Sequence, residues 1–117
     1  MSIEWIAHKG KKILYIKYSG LTDPEQLEQI RQATQILVDT KATDNLTLSD
    51  VIDTHVTQDF VDLAKVQGKI SAPHVKKAAI IGIFGVRKFI LQAVNKISGN
   101  IRVPFSTMEE AKDWLVE

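Results

Sequence analysis

Two stretches of this chain gather the residue types best suited to chemistry. The first is 50–57, which holds Asp50, Asp53, Thr54, His55 and Thr57. Two acids and two hydroxyls could hold a divalent cation or a phosphoryl group. Carboxylates at 50 and 53 without further ligands are nonetheless a weak metal pattern, and the plainer alternative is a turn followed by a helix cap. The second stretch is 82–88, where Gly82 and Gly85 permit close backbone approach and a helix start would set amide donors beside Arg87 and Lys88. An anion would suit such a place. The spacing matches neither of the glycine-rich phosphate-binding patterns. The alternative is glycines used for helix-to-sheet packing, with Arg87 and Lys88 on a solvated face.

Elsewhere the chain offers little to a reaction. His8, His55 and His74 lie far apart, and none has a second ligand one helical turn away, so no zinc site is expected. The chain has no cysteine, which excludes a disulfide framework, a thiolate metal site and a cysteine nucleophile. No nucleophile elbow, metalloprotease helix or Ser-Lys pair occurs, and nothing frames the carboxylates so as to separate an acid from a base. The expectation is a protein that is not an enzyme and needs no cofactor and no metal. Trp5 and Trp114 sit on amphipathic segments and read as core or dimer contacts rather than stacking platforms.

The charge balance, 15 basic against 14 acidic residues for a net +1, is spread along the chain and creates no long-range field for polyanions. Nucleic acid is therefore not an expected partner. Lys9, Lys11 and Lys12 around Gly10 read as a hairpin tip rather than a phosphate patch. Residues 1–12 lack the apolar stretch of a secretory signal. The longest apolar run, 78–86, contains two glycines and falls well short of the roughly 20 residues that span a bilayer. No stable membrane insertion is expected, and the absence of cysteine fits a reducing, cytoplasmic setting.

Positioning these residues falls to a chain of 117 residues, 44% hydrophobic, with no linker or repeat, which reads as a single domain over 1–117. Residues 3–7 and 13–18 are rich in β-branched and aromatic side chains and predict an antiparallel hairpin. Thr22, Asp23, Pro24 and Glu25 predict a helix start, and Leu27, Ile30, Thr34 and Leu37 its buried face, with Gln26, Glu28, Gln29, Arg31 and Gln32 mostly opposite. A buried strand over 46–52 precedes a helix capped by Thr57, in which Phe60, Leu63, Ala64 and Ile70 are available for burial. The run at 78–83 predicts a strand covered on both faces. Val86, Phe89, Ile90, Ala93, Val94 and Ile97 form the clearest helical stripe, stopped by Gly99. Ile101, Val103 and Phe105 alternate as a last strand, and Thr107 with Glu110 forms a capping box for a terminal helix. The order β-β-α-β-α-β-α-β-α implies an α/β fold, a five-stranded and mainly parallel sheet with one antiparallel edge strand and four helices. Ligands of such sheets usually meet the carboxyl ends of the strands, which again selects 50–57 and 82–88.

With this order in hand the chain resembles the STAS/SEC14-like, or SpoIIAA-like, group of small bacterial proteins over nearly its whole length. The passages that carry the resemblance are ILYIKYSGLTDPEQL at 13–27, SDVIDTHVTQDF at 49–60 and IIGIFGVRKFILQAVNKISGNIRVPFSTMEEAKDWL at 80–115. The resemblance implies a SpoIIAA-like fold. In more distant relatives, the anti-sigma-factor antagonists, a phosphorylatable serine opens the helix after the third strand. The matching region here has no serine or glycine and leaves Thr54 or Thr57 for that role. The SEC14 side of the group implies lipid-like ligands, with the apolar helix at 86–97 as its counterpart here.

The expected function is accordingly a non-enzymatic regulatory or protein-interaction domain that uses the face built from 50–57 and 82–88. The alternative is a carrier or sensor of a small lipid-like or anionic ligand. The partner is an unidentified protein or small ligand, and a homodimer through an exposed helix or edge strand is compatible with either.

Overall fold

Lys9 and Gly10 both adopt positive φ, 49° and 80°, the two-residue turn whose twist suits a hairpin. They join β1 (Ile3–His8) to β2 (Lys11–Lys17), which pair antiparallel with His8 opposite Lys11. The computed structural model describes residues 2–117. After β2 come α1 (Asp23–Asp39), β3 (Asn45–Asp50), α2 (Gln58–Ser71), β4 (Val75–Ile81), α3 (Arg87–Ser98), β5 (Arg102–Phe105) and α4 (Met108–Leu115), with a short 3-10 turn at Ala72–His74. The fold is α/β, with the element order read from the sequence.

The strands lie in the order β1-β2-β3-β4-β5, and every pair after the hairpin is parallel. Because this order never reverses, successive crossovers fall on one face. The core there joins Leu14, Ile16 and Tyr18 of β2 and its end to Ile30, Ala33 and Leu37 of α1 and Leu91 of α3, with Phe60 and Leu63 of α2 packed against it. The other face is closed by α4 alone, whose Ala111 and Leu115 pack on Ile13, Leu46, Leu48, Ala79 and Ile81. Phe105 and Trp114 extend this second core with ring centroids 5.4 Å apart.

The helix starts form where capping chemistry requires. Thr22 and Glu25 make a capping box at α1, Thr57 accepts from the Phe60 amide at α2, and Thr107 accepts from the Glu110 amide at α4. Gly99 ends α3 in the left-handed region.

Three helix faces differ from the sequence reading. Gln26 and Gln29, expected on the outer side of α1, are buried, because their side-chain amides donate to the carbonyls of Leu21 and Lys17 at the β2–α1 connection. In α2, Ile70 is exposed and the buried positions are Val61, Gly68 and Ser71. The stripe of α3 largely faces outward. Val86 and Phe89 are 75% and 71% exposed and Ile90 and Ile97 are exposed too, while Leu91, Val94 and Ser98 turn inward. The reason is that α3 lies chiefly along α2 at the end of the helical layer, so only a narrow strip of its surface meets the protein. Among the described residues no helix is long and apolar enough to cross a membrane.

Candidate functional site

The two loops selected from the sequence do adjoin, and Arg87 is the clamp between them. Its guanidinium donates to the carbonyls of Val51, Thr54 and Gly82, the Val51 and Gly82 contacts at 3.3 and 3.2 Å. Gly82 has φ +98°, and a Cβ added there would lie 2.5 Å from the Ile52 amide nitrogen. The glycine is thus required for the closeness of the loops themselves. Asp53 adopts a positive φ of 53° in the turn.

Most of the polar groups here are already engaged. The buried Asp50 carboxylate accepts from the Tyr15 hydroxyl at 2.6 Å and from the Ile52 amide at 3.0 Å, on the α4 side of the sheet. Burial, followed by the bond to Asp50 and that carboxylate's charge, pushes the Tyr15 phenol well above its usual range. Thr54 is buried and its hydroxyl donates to Ile52, while Thr57 is the α2 cap. Of the named positions, Asp53, His55, Gly85 and Lys88 are exposed. Burying the clamp's donors against three carbonyls means that the cation expected to greet an anion at 82–88 serves the fold instead.

The sheet order bears on this. Ligand crevices in parallel sheets open where strand order reverses and neighbouring loops diverge to opposite faces. Here no reversal exists, and the loops after β3 and β4 close onto each other.

An apolar opening lies deeper, between the sheet and α1, α2 and α3. A cavity of about 90 Å³ is walled by apolar side chains, among them Ile30, Leu37, Val61, Ile80 and Leu91. Its floor is the face of β3 that carries Thr47 and Ser49, since Leu46, Leu48 and Asp50 point to α4. A central strand covered by helices would ordinarily fill such positions with apolar residues. The hydroxyls of Thr47 and Ser49 make no hydrogen bond among the described residues, in contrast to Thr34, which donates to the Ile30 carbonyl.

At the start of β5 the cavity has a polar end. Ser71 donates to the Gly68 carbonyl and accepts from the Asn100 side-chain amide, and Ser98 bridges back to Asn100. Asn95 of α3 donates to the Arg102 carbonyl and accepts from its amide, both at 3.0 Å, which fixes the backbone of Arg102. The guanidinium reaches the cavity with one donation, from Nη1 to the Asn100 carbonyl at 3.3 Å. It has no carboxylate within ion-pair distance among the described residues. Gly68 makes room for this end, because a Cβ there would meet the Ser98 Cβ at 2.5 Å and approach Arg102 Nη2 at 3.7 Å.

Arg102 keeps some solvent contact along its length, but protein crowds the guanidinium and desolvation lowers its pKa from the ordinary arginine value. Burial likewise pushes the Tyr18 phenol up to about 12, with the charge of Arg102 opposing the shift. The cavity wall therefore carries two arginines, one of them clamped, and no carboxylate.

The alternation of Ile101, Val103 and Phe105 along the last strand draws attention away from this residue. Ile101 is exposed, whereas Arg102 lies opposite Ala78 on the three-helix side. The signal in the sequence was the pair of alternations Leu46-Thr47-Leu48-Ser49 and Ile101-Arg102-Val103: each places polar groups on the face opposite the apolar ones, and the element order makes that face internal.

A cluster at the other end of the molecule has metal-ligand composition. Donor atoms of His8, Glu109 and Asp113 lie within 4.8 Å of one another. However, Asp113 accepts from His8 Nε2 at 2.7 Å and pairs with Lys9 at 3.0 Å, while Glu109 pairs with Lys112 at 3.0 Å. These contacts, His8 first and then Lys9, hold the Asp113 carboxyl below its usual range. The acids already have cationic partners.

Comparison with protein-family models, curated proteins and solved structures returns no match to the chain.

Proposed function

We propose that this protein is a non-catalytic binding domain that takes a small ligand with an apolar body into the cavity between its sheet and α1–α3, as a carrier or sensor. The observation that carries this reading is the lining: apolar walls over a floor where Thr47 and Ser49 present hydroxyls without protein partners. Among the described residues the buried side-chain oxygens without a partner are those of Gln26 and Gln29; the Thr47 and Ser49 hydroxyls border open space instead and are available to pair a polar group of an occupant. A STAS/SEC14-like affiliation and a cytoplasmic setting belong to the same proposal, on the passages at 13–27, 49–60 and 80–115.

The test is native mass spectrometry of protein purified from cells without refolding, followed by solvent extraction. Discrete added mass that is released on denaturation is expected. Protein that is empty as isolated and is stabilised by no small apolar compound would defeat the reading.

A second reading, docking of a protein on α3, is favoured by one observation. Phe84, Val86 and Phe89 stand 62%, 75% and 71% exposed beside Lys88, an apolar group of a kind that marks interaction sites. Light scattering over a concentration series, on the native chain and on Phe89→Ser, addresses self-docking: association lost in the variant would support it, and a monomer throughout would remove it.

A further inference from the structure

The arginine at the polar end of the cavity narrows the ligand. We infer that the cavity takes a small monocarboxylate, its carboxylate held by the Arg102 guanidinium and its apolar body lying between β3, β4 and the helices. The inference rests on the cavity being the binding site, as proposed above. A desolvated cation is tolerated when a partner of opposite charge completes it. The wall supplies two arginines and no acid. Arg87 is tied to three backbone carbonyls, which leaves one guanidinium with donors to offer, since among the described residues the Arg102 guanidinium is engaged only by the Asn100 carbonyl.

One unmatched positive charge selects one negative charge. A phosphate monoester would bring a second charge with no cation to meet it, whereas a carboxylate is planar and matches the guanidinium fork. The site around Arg102 is also built rather than accidental. Asn95 fixes its backbone from both sides, Gly68 lets Ser98 of α3 approach α2 closely beside it, and Ser71 and Asn100, both buried, link the ends of α2 and β5.

The ligand is small because the space is. About 90 Å³ is less than the roughly 150 Å³ of an engineered apolar cavity that accepts benzene. Butyrate is therefore the appropriate probe, with hexanoate and benzoate, which are no smaller than benzene, requiring α3 to move outward.

Titration calorimetry of the native chain with butyrate, butanol and butyl phosphate, repeated on Arg102→Gln, tests the inference. Butyrate is expected to bind at least about tenfold more tightly than butanol, and Arg102→Gln is expected to bring the two to the same affinity. The comparison on the native chain stands even if the variant folds poorly. Equal binding of acid and alcohol, unchanged in the variant, would overturn the carboxylate assignment while leaving the cavity as the site. Tighter binding of butyl phosphate than of butyrate would overturn it in favour of a dianion. Binding of none of the three, by a protein that is also empty as isolated, would remove both the assignment and the site on which it depends.

Discussion

Tyr18 and Arg102 show how a few side chains determine the character of an interior. Tyr18 sits in the three-helix core with its ring against Phe60, centroids 5.1 Å apart and nearly perpendicular, and its phenol is pushed up to about 12 by burial. An unfolded tyrosine ionises near the ordinary value of 10.0. The folded state therefore disfavours ionisation, and the stability associated with the neutral phenol is fully present below pH 10 and lost as pH rises through 12. Between pH 9 and 11.5 the native chain should lose about 2 kcal/mol more stability than Tyr18→Phe; equal losses in urea melts would show that Tyr18 is not withdrawn from water. Tyr15 makes a different kind of contribution, since it completes a buried carboxylate. Removing its hydroxyl in Tyr15→Phe should cost about 1–3 kcal/mol at neutral pH by leaving Asp50 short of a donor. At this scale the sequence was least legible. Asp50 and Arg87 were visible as charges, but whether a charge faces a ligand or a neighbouring carbonyl depends on loop closure that no local pattern encodes.

Caps and stops were legible element by element, because each depends on a few adjacent residues. Thr22 with Glu25, Thr57, Thr107 and Gly99 act where their types imply, while the expected box at Thr107 is half formed, since the Glu110 carboxylate accepts from the Thr107 hydroxyl and not from its amide. What failed was the inference from amphipathic stripe to buried face. The stripe at 86–97 is genuine as periodicity, yet α3 turns most of it outward, since burial depends on which neighbours the topology supplies. A reversed error hid Gln26 and Gln29, whose polarity is buried because two carbonyls at the β2–α1 connection receive them. The loops after β3 and β4 can approach only because Gly82 has no side chain. Gly82→Ala combines a left-handed backbone, which costs about 1–3 kcal/mol, with overlap against Val51 and Ile52. It should destabilise by more than Gly85→Ala, whose Cβ would meet nothing within 4 Å. Denaturant midpoints of the two variants measure the difference, and similar midpoints would show that the loops are not pressed together as described.

Across the whole molecule the two faces of the sheet have different roles. Between the sheet and α4, Ile13, Leu48, Ala79, Ile81, Ala111 and Leu115 are all but completely buried, which anchors the fold. Between the sheet and α1–α3 the same strands present Thr47 and Ser49 to a cavity, where a protein selected for stability alone would place apolar atoms. This asymmetry follows from the strand order: with no reversal, three helices share one face and must bridge a wider layer than α4 does. It also predicts a trade between stability and binding. Thr47→Val keeps the shape and the strand preference of the residue and replaces an unpaired hydroxyl by a methyl group. As a cavity-lining replacement it should stabilise the empty protein by about 0.5–2 kcal/mol and weaken any ligand that bonds to the floor. Thermal melts with and without butyrate read both effects. A stabilised variant that binds as well as the native chain would mean that the hydroxyl is incidental, and a destabilised one that the fold already uses it; only gain of stability with loss of affinity marks a floor kept polar for its occupant.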